Sequence, residues 1–481
     1  MTRPERTTLG KGLEISRIVT GLWQVADMER SGRTLDPDAA ADALQAYVAD
    51  GFDTFDMADH YGSAELIAGR LLARGTRAVA MTKWCPKPGP MTREVVRAGV
   101  AERCRRLGVE RLDLLQLHWW SFEHPAYLDA FAELKRLQDE GVIGELGVTN
   151  FDTDHLRVLV GQGIRLASNQ VSLSLLDRRA TQEMSAFCAA HGIRLLAYGT
   201  LAGGFLADAW LGRAEPQRIG DWSKMKYRRF IDVIGGWDVL QAILAAAHEV
   251  AQRHGVSISN VATRWVLDQP AVAAVIVGAR PGEREHRADN LRTFGLRLDE
   301  ADLDRLDRAL GLARPVPGDC GDEYRKPPYL TASGDLSDHL DALPRVYHAR
   351  AHPHLPDRQI VDSGSVWEGI GGYSRAVRVG DRIHVSGTTA THGHGTVVCK
   401  DDPAGQAVYI LDKIAASLAA LGGGLEHVVR TRILLSDIRH WEPVARVHGR
   451  YFADVRPANT LVEATLVGDY IVEIEAEAIL G

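Results

Sequence analysis

Cysteine is scarce: five residues, Cys85, Cys104, Cys188, Cys320 and Cys399, are spread over 481 positions. That spacing suggests neither a disulfide framework nor a clustered zinc site, and no catalytic metal is expected. Long hydrophobic runs are missing too. No stretch of about 18 apolar residues occurs, and the opening MTRPERTTLGKG has no apolar signal core, so neither a membrane span nor export is expected and the default compartment is cytoplasmic. Positive charge is not in excess: 56 Lys and Arg against 63 Asp and Glu leave a formal charge of -7, with no long-range pull toward nucleic acid or acidic lipid. What remains is a soluble chain with room for one large domain and a smaller one, since single cores stop growing near about 250 to 300 residues.

From about residue 15 to 310, short apolar runs alternate with longer helical patterns. ISRIVTGL, GFDTFDMA, AVAMTK, LDLLQLH, VIGELGVTN, IRLASNQV, IRLLAYG and AVIVGA read as strands. DPDAAADALQAYVADG, TREVVRAGVAERCRRLG, HPAYLDAFAELKRLQDEG and TQEMSAFCAAHG read as helices between them. Buried parallel strands need a helix on their outer side, so the alternation predicts an α/β fold, and eight strands suit a closed (β/α)₈ TIM barrel. The beat is interrupted over 207–237 by an aromatic and basic insertion, which fits either a substrate-covering loop or an ordinary surface elaboration. The expected domains are a barrel over 1–325, a Pro-containing linker over 326–360, and a second unit over 361–481.

Polar residues collect at the C-terminal ends of the strands, the face on which such barrels carry their chemistry. Asp56 and Tyr61 lie at and just beyond the end of the second strand, Lys83 closes AVAMTK, and His118 closes LDLLQLH. Each has an ordinary role when taken alone: a turn cap, packing, a solvated loop amine, a core histidine. Together they make an acid. A tyrosine with a pKa of about 10 donates poorly at neutral pH unless its phenolate is stabilised, which a nearby ammonium does while an aspartate orients that ammonium.

These motifs, FDMADHYGSAE, MTK and LLQLH, together with GVIGELGVTNF, LLAYGTLAGGFL and VIVGARPGEREHRADN, resemble the aldo/keto reductase superfamily across the whole barrel. The resemblance implies carbonyl reduction with NADP (NAD possible), or the reverse oxidation of an alcohol or sugar. It implies Asp56, Tyr61, Lys83 and His118 as the catalytic set, with Tyr61 as general acid/base. For the cofactor it implies Thr149, Asn150 and Gln170 at the carboxamide, Tyr198 stacked on nicotinamide, and Gly199, Thr200, Leu201 and Gly203 beside the pyrophosphate. Gly278, Ala279, Arg280, Arg284 and Asn290 follow strand eight, where Arg280 and Arg284 suit a 2'-phosphate. No Rossmann glycine signature is present, as expected of a barrel that binds its cofactor in this way. Trp23 and Trp119 are the expected substrate-binding aromatics.

The last 120 or so residues read as α+β, with strands around RAVRVGDRIHVSGTTA, a helix in AGQAVYILDKIAASLAALGGG, and strands in VVRTRILLSDI and TLVEATLVGDYIVEIEAEAIL. Their opening and ending resemble the RidA/YjgF/YER057c/UK114 family, small chorismate mutase-like domains that form trimers and often hydrolyse enamines and imines. The resemblance implies a homo-oligomer, a trimer, and makes Glu475 the strand-end carboxylate and Tyr373 the pocket aromatic. Active members carry an arginine where this chain has Asn459, which supplies neither charge nor fork, so carboxylate-bearing imine hydrolysis is put in doubt. Two alternatives accompany the reductase reading: a bifunctional reductase and imine-handling enzyme, and a non-catalytic nicotinamide-cofactor sensor.

Overall fold

The computed structural model describes residues 3–29, 32–87, 89–283, 285–326, 330 and 343–481. An antiparallel hairpin, β1 (Arg6–Leu9) and β2 (Leu13–Ser16), precedes eight parallel strands. These are β3 (Ile18–Gly21), β4 (Thr54–Asp56), β5 (Val79–Trp84), β6 (Leu112–His118), β7 (Ile143–Thr149), β8 (Ser168–Ser172), β9 (Arg194–Tyr198) and β10 (Val272–Gly278). β10 pairs with both β9 and β3, which closes the expected barrel.

The interior of the barrel changes character along its axis. Leu9 and Ile15 of the hairpin meet Val19, Met81, Leu114, Leu196 and Ala274 in an apolar plug at one end. Side chains two residues apart share a strand face, so the next interior positions are Lys83, Gln116, Tyr198 and Ile276, and then His118. Polarity therefore rises toward the strands' C-terminal ends. The helices between strands start and stop where their caps dictate. Asp36 caps Pro37–Ala49 and Thr92 caps Arg93–Leu107 by accepting from N–H groups of the first turn, and Gly108 ends the latter in the left-handed region (φ 66°). The insertion over 207–237 holds one 13-residue helix, Trp222–Ile234, whose Lys226, Tyr227, Phe230 and Ile231 are buried.

In the second unit, β11 (Arg350–His352), β12 (Leu355–Val361), β13 (Ala376–Val379) and β14 (Arg382–Thr389) come first. A two-residue hairpin, β15 (Thr391–His392) and β16 (Thr396–Val397), is followed by β17 (Val428–Leu435), β18 (Ala458–Glu463) and β19 (Val472–Ile479). All but the small hairpin form one sheet in the order β11-β12-β13-β14-β19-β17-β18, crossed by the helix Pro403–Ala420. The segment expected as a linker over 326–360 thus contributes two sheet strands, and the second unit begins by Arg350. Strand alternation is weak there because β12 is exposed along most of its length, which removed the apolar signal.

The two units meet where Thr153–Gly161 packs on Pro403–Ala420. Gly161 permits the close approach, since a Cβ there would lie 2.6 Å from Cys399 Sγ. His155 is buried between two carboxylates, with Nδ1 2.6 Å from Asp152 and Nε2 2.9 Å from Asp412, and it stacks on Phe122 at 3.5 Å. Burial alone would lower its pKa, but Asp152 and Asp412 override burial and raise it to about 10. A raised folded pKa contributes stability that is complete below the unfolded value and lost as pH climbs through the folded one. Thermal stability is therefore expected to fall between roughly pH 7 and pH 10, while His155→Gln, less stable at neutral pH, shows a flatter profile over that window. Melting curves across the range check this, and parallel profiles would remove the ion-pair account.

Candidate active site

Strand ends bring the expected catalytic set together. Lys83, 1% exposed, donates to both carboxylate oxygens of Asp56 at 2.7 Å and to the Met57 carbonyl at 2.9 Å. Asp56 also accepts from Gln170 Nε2 at 2.8 Å. Burial, opposed by Asp56, holds the Lys83 pKa below its usual value. Tyr61 sits over this pair, its ring centroid 4.9 Å from Lys83 Nζ, between the edges of Trp23 at 5.0 Å and His60 at 4.9 Å. On the neighbouring strand His118 is buried. Burial first, then His60 and the cations Arg325, Lys83 and Lys226, push its pKa well below the ordinary imidazole value, so it is neutral at physiological pH.

Asn150 follows β7 with φ 58°, a left-handed conformation that Asn tolerates better than most side chains. Its backbone N–H reaches Gln170 O at 2.9 Å. Its side chain is fixed by Tyr198, whose hydroxyl donates to Oδ1 at 2.8 Å, so Nδ2 faces His118 Nε2 at 3.3 Å. The Tyr198 oxygen also lies 3.1 Å from Glu323, and Glu323 pairs with Arg179 at 2.9 Å. Gly199 (φ 71°) must be glycine, because any Cβ there would run into the Tyr227 hydroxyl.

The catalytic set and most of its neighbours line one cavity of about 620 Å³, a size that suits a small-molecule site. Asp56, Tyr61, Lys83, His118, Thr149, Asn150, Gln170, Tyr198, Gly199, Thr200, Leu201, Gly203, Gly278, Arg280, Asn290 and Trp23 border it. Two expectations, Ala279 and Trp119, come out differently. Ala279 is buried and its N–H is bonded to Gly21 O at 2.9 Å, outside the lining. Arg284 lies outside the described residues. Trp119 is fully buried, its indole N–H donating to Ser121 O and His124 O, and it makes no part of the cavity. Trp120 lines the cavity instead, 4.2 Å from the His118 ring. The period of two carries the reason: His118 points inward, so Trp119 points out and Trp120 in. Arg280 borders the cavity but is paired with Asp27, with Asp221 at 2.9 Å and with Gln24 at 3.0 Å, so its charge is already matched.

Sequence reasoning missed Lys226, Trp222 and Tyr324. The first two come from the insertion, whose covering role was left open. Tyr324 comes from the short helix Asp322–Arg325, which carries no pattern of its own; Lys226 Nζ donates to its hydroxyl at 2.6 Å, and its ring lies 5.7 Å from His118.

The second unit holds a cavity of about 430 Å³, which Tyr373 borders as expected. Glu475 does not: it pairs with Arg432 at 2.6 Å, and Glu473, two residues earlier, is the carboxylate on the cavity wall. Asn459 also lies off the wall, donating to Thr431 Oγ1 at 2.9 Å.

Residues 17–310 match the aldo/keto reductase family, and the chain belongs to it. Residues 365–480 match the family described as endoribonuclease L-PSP, so the barrel is fused to a RidA/YjgF-like domain. The chain is 26% identical over 319 residues to the NADH-specific methylglyoxal reductase of Escherichia coli, covering 60% of this chain and 93% of that one. It is 33% identical over 179 residues to flagellar radial spoke protein 5 of Chlamydomonas reinhardtii, covering 33% of this chain and only 34% of that protein. Among solved structures, the glycerol dehydrogenase of Gluconobacter oxydans aligns over 65% of this chain and 97% of its own at 26% identity, with a TM-score of 0.55. The chain is an NAD(P)H-dependent aldo/keto reductase at the level of its family.

Because a buried charge stripped of its partner is costly, Lys83→Met is expected to lower stability by about 3 to 5 kcal/mol. Lys83→Met combined with Asp56→Leu is expected to recover part of that loss, as read by denaturant unfolding. A single variant as stable as the parent would contradict the buried pair.

Proposed function

We propose that the barrel reduces an aldehyde or ketone, or oxidises the corresponding alcohol or sugar, with Tyr61 as general acid/base and NADP as cofactor, NAD being accepted. The observation that carries this reading is the buried Asp56–Lys83 pair beneath the Tyr61 ring, with a neutral His118 beside it.

The residues at hand fit a nicotinamide dinucleotide. Thr149 Oγ1 is buried with no hydrogen-bond partner among the described residues, in the same cavity as Asn150, and together they suit a carboxamide. Gln170 is committed to Asp56 through its nitrogen, so its oxygen is what it has left to offer. Tyr198 presents a ring for stacking, and the glycines Gly199 and Gly203 let backbone N–H groups approach a pyrophosphate. When bound, the nicotinamide supplies the hydride for the substrate carbonyl carbon. Charge then gathers on the carbonyl oxygen. Tyr61 delivers the proton to it, helped by the Lys83 ammonium, which favours the phenolate left behind, while Asp56 keeps that ammonium in place. His118, uncharged, donates a hydrogen bond to the same oxygen. Trp23, Trp120 and Tyr324 leave an aromatic-walled space for a small oxygenated substrate, in keeping with the methylglyoxal and glycerol named for two relatives.

Tyr61→Phe is expected to lower kcat by about 10²- to 10⁴-fold with cofactor affinity retained. Unchanged reduction would remove Tyr61 as the acid, and loss of both would favour a structural role. Arg280→Met is expected to weaken NADPH roughly tenfold and NADH little, read by fluorescence titration; equal loss for both would make Arg280 a scaffold held by Asp27 and Asp221.

The bifunctional alternative, in the form of carboxylate-bearing imine hydrolysis, loses support at Asn459, which stands off the second cavity. A homotrimer is the proposed assembly: Trp367, Ile370 and Val467 are apolar and exposed around that cavity, a surface that association would cover. Light scattering that returns the monomer mass at working concentration would rule it out.

A further inference from the structure

The cavity of the RidA-like domain lies among Pro403–Ala420, β14 and β19, and its wall includes Arg375, Ser386, Thr389, Lys413, Tyr470 and Glu473. Lys413 is the group that packing does not account for. It stands in the middle of the helix at 7% exposure, and its ammonium donates to the Thr391 carbonyl at 3.1 Å. No carboxylate forms an ion pair with it among the described residues. Glu368 is instead bound to Arg375 at 3.1 Å and to Ser363 at 2.6 Å. A buried lysine without a carboxylate is unfavourable as a structural element, since a buried charge is kept only where it is paired.

We propose that Lys413 is a nucleophile that captures a small aldehyde or ketone in this cavity as a Schiff base. Burial and the Arg375 guanidinium push the amine down to about 8, so roughly a tenth of it is uncharged at neutral pH, far more than for an ordinary lysine. Glu473 lines the same cavity, and burial and then Glu475 push its pKa upward from the ordinary carboxylate value. The amine attacks the carbonyl carbon, a C–N bond forms, and a proton passes from nitrogen to oxygen to give a carbinolamine. Glu473 protonates the departing hydroxyl, which leaves as water. The iminium nitrogen then returns its proton to Glu473. One carbonyl and one amine become one imine and one water, with no change of oxidation state. Ser386, Thr389 and Tyr470 add hydroxyl groups to the wall, so hydroxylated carbonyl compounds are the favoured class. This site belongs to a different domain from the barrel cavity and stands or falls separately from the reductase reading.

The test uses the full chain, glyceraldehyde and sodium cyanoborohydride at neutral pH, with peptide mass mapping of the nine lysines. A secondary-amine adduct is expected at Lys413, forming roughly tenfold faster than at exposed Lys400 and slowed about tenfold by Glu473→Gln. Labelling of Lys413 no faster than Lys400 in the unaltered protein overturns the proposal without relying on any variant to fold. An unchanged rate in Glu473→Gln overturns the role given to that carboxylate.

Discussion

A lysine and an aspartate are buried together at the open end of the barrel, and the rest of the site is arranged around keeping that pair intact. Lys83 on β5 and Asp56 on β4 have almost no contact with water, so each is tolerable only because the other is 2.7 Å away. The pair in turn fixes its surroundings. Gln170 from β8 reaches across to Asp56, Met57 turns its carbonyl to the ammonium, and Tyr61 is held above by Trp23 and His60. A charge that is expensive to bury thereby becomes a rigid positive point beneath one phenol, and preorganisation of that kind favours proton transfer over mere binding.

The same logic recurs at the seam between the domains. Asp152 caps the helix Thr153–Gly161 and also holds His155, and Asp412 from the second domain completes the bracket. Two residues before Asp152 stands Asn150, on the wall of the reductase cavity. Arg325 ties the two places together, donating to the Asn150 carbonyl at 2.6 Å while its guanidinium lies 4.2 Å from the Phe122 ring on which His155 stacks. The docked domain therefore abuts the structure that positions the cofactor-side residues. In the second domain charge burial is left incomplete at Lys413, and that incompleteness is what distinguishes it from Lys83.

Much of the barrel was legible because its signals are local. Apolar runs of strand length, helices opened by Asp36 or Thr92 and a glycine stop at 108 each depend on neighbours a few residues away. The catalytic set was legible for a related reason: strand ends in a closed barrel share one face, so Asp56, Lys83 and His118 had to converge wherever the sheet closed. Trp119 faces away from the cavity, as the alternation from His118 onward requires. The strands β11 and β12 look like linker in the sequence because β12 buries little besides Ile360 and Val361, leaving no periodic signal to read.

By itself, the order of residues determined the barrel, the α+β nature of the second unit, and which side chains face the interior, since strand period and caps follow from short-range sterics and hydrogen bonding. Only the folded chain decided which charges meet. Arg280 answering to Asp27 and Asp221, Tyr324 and Lys226 closing over His118, His155 caught between carboxylates of two domains, and Lys413 left without one are all contacts between segments far apart in the chain. Such pairings depend on how loops and helices settle around a finished sheet, and nothing in the local pattern encodes them.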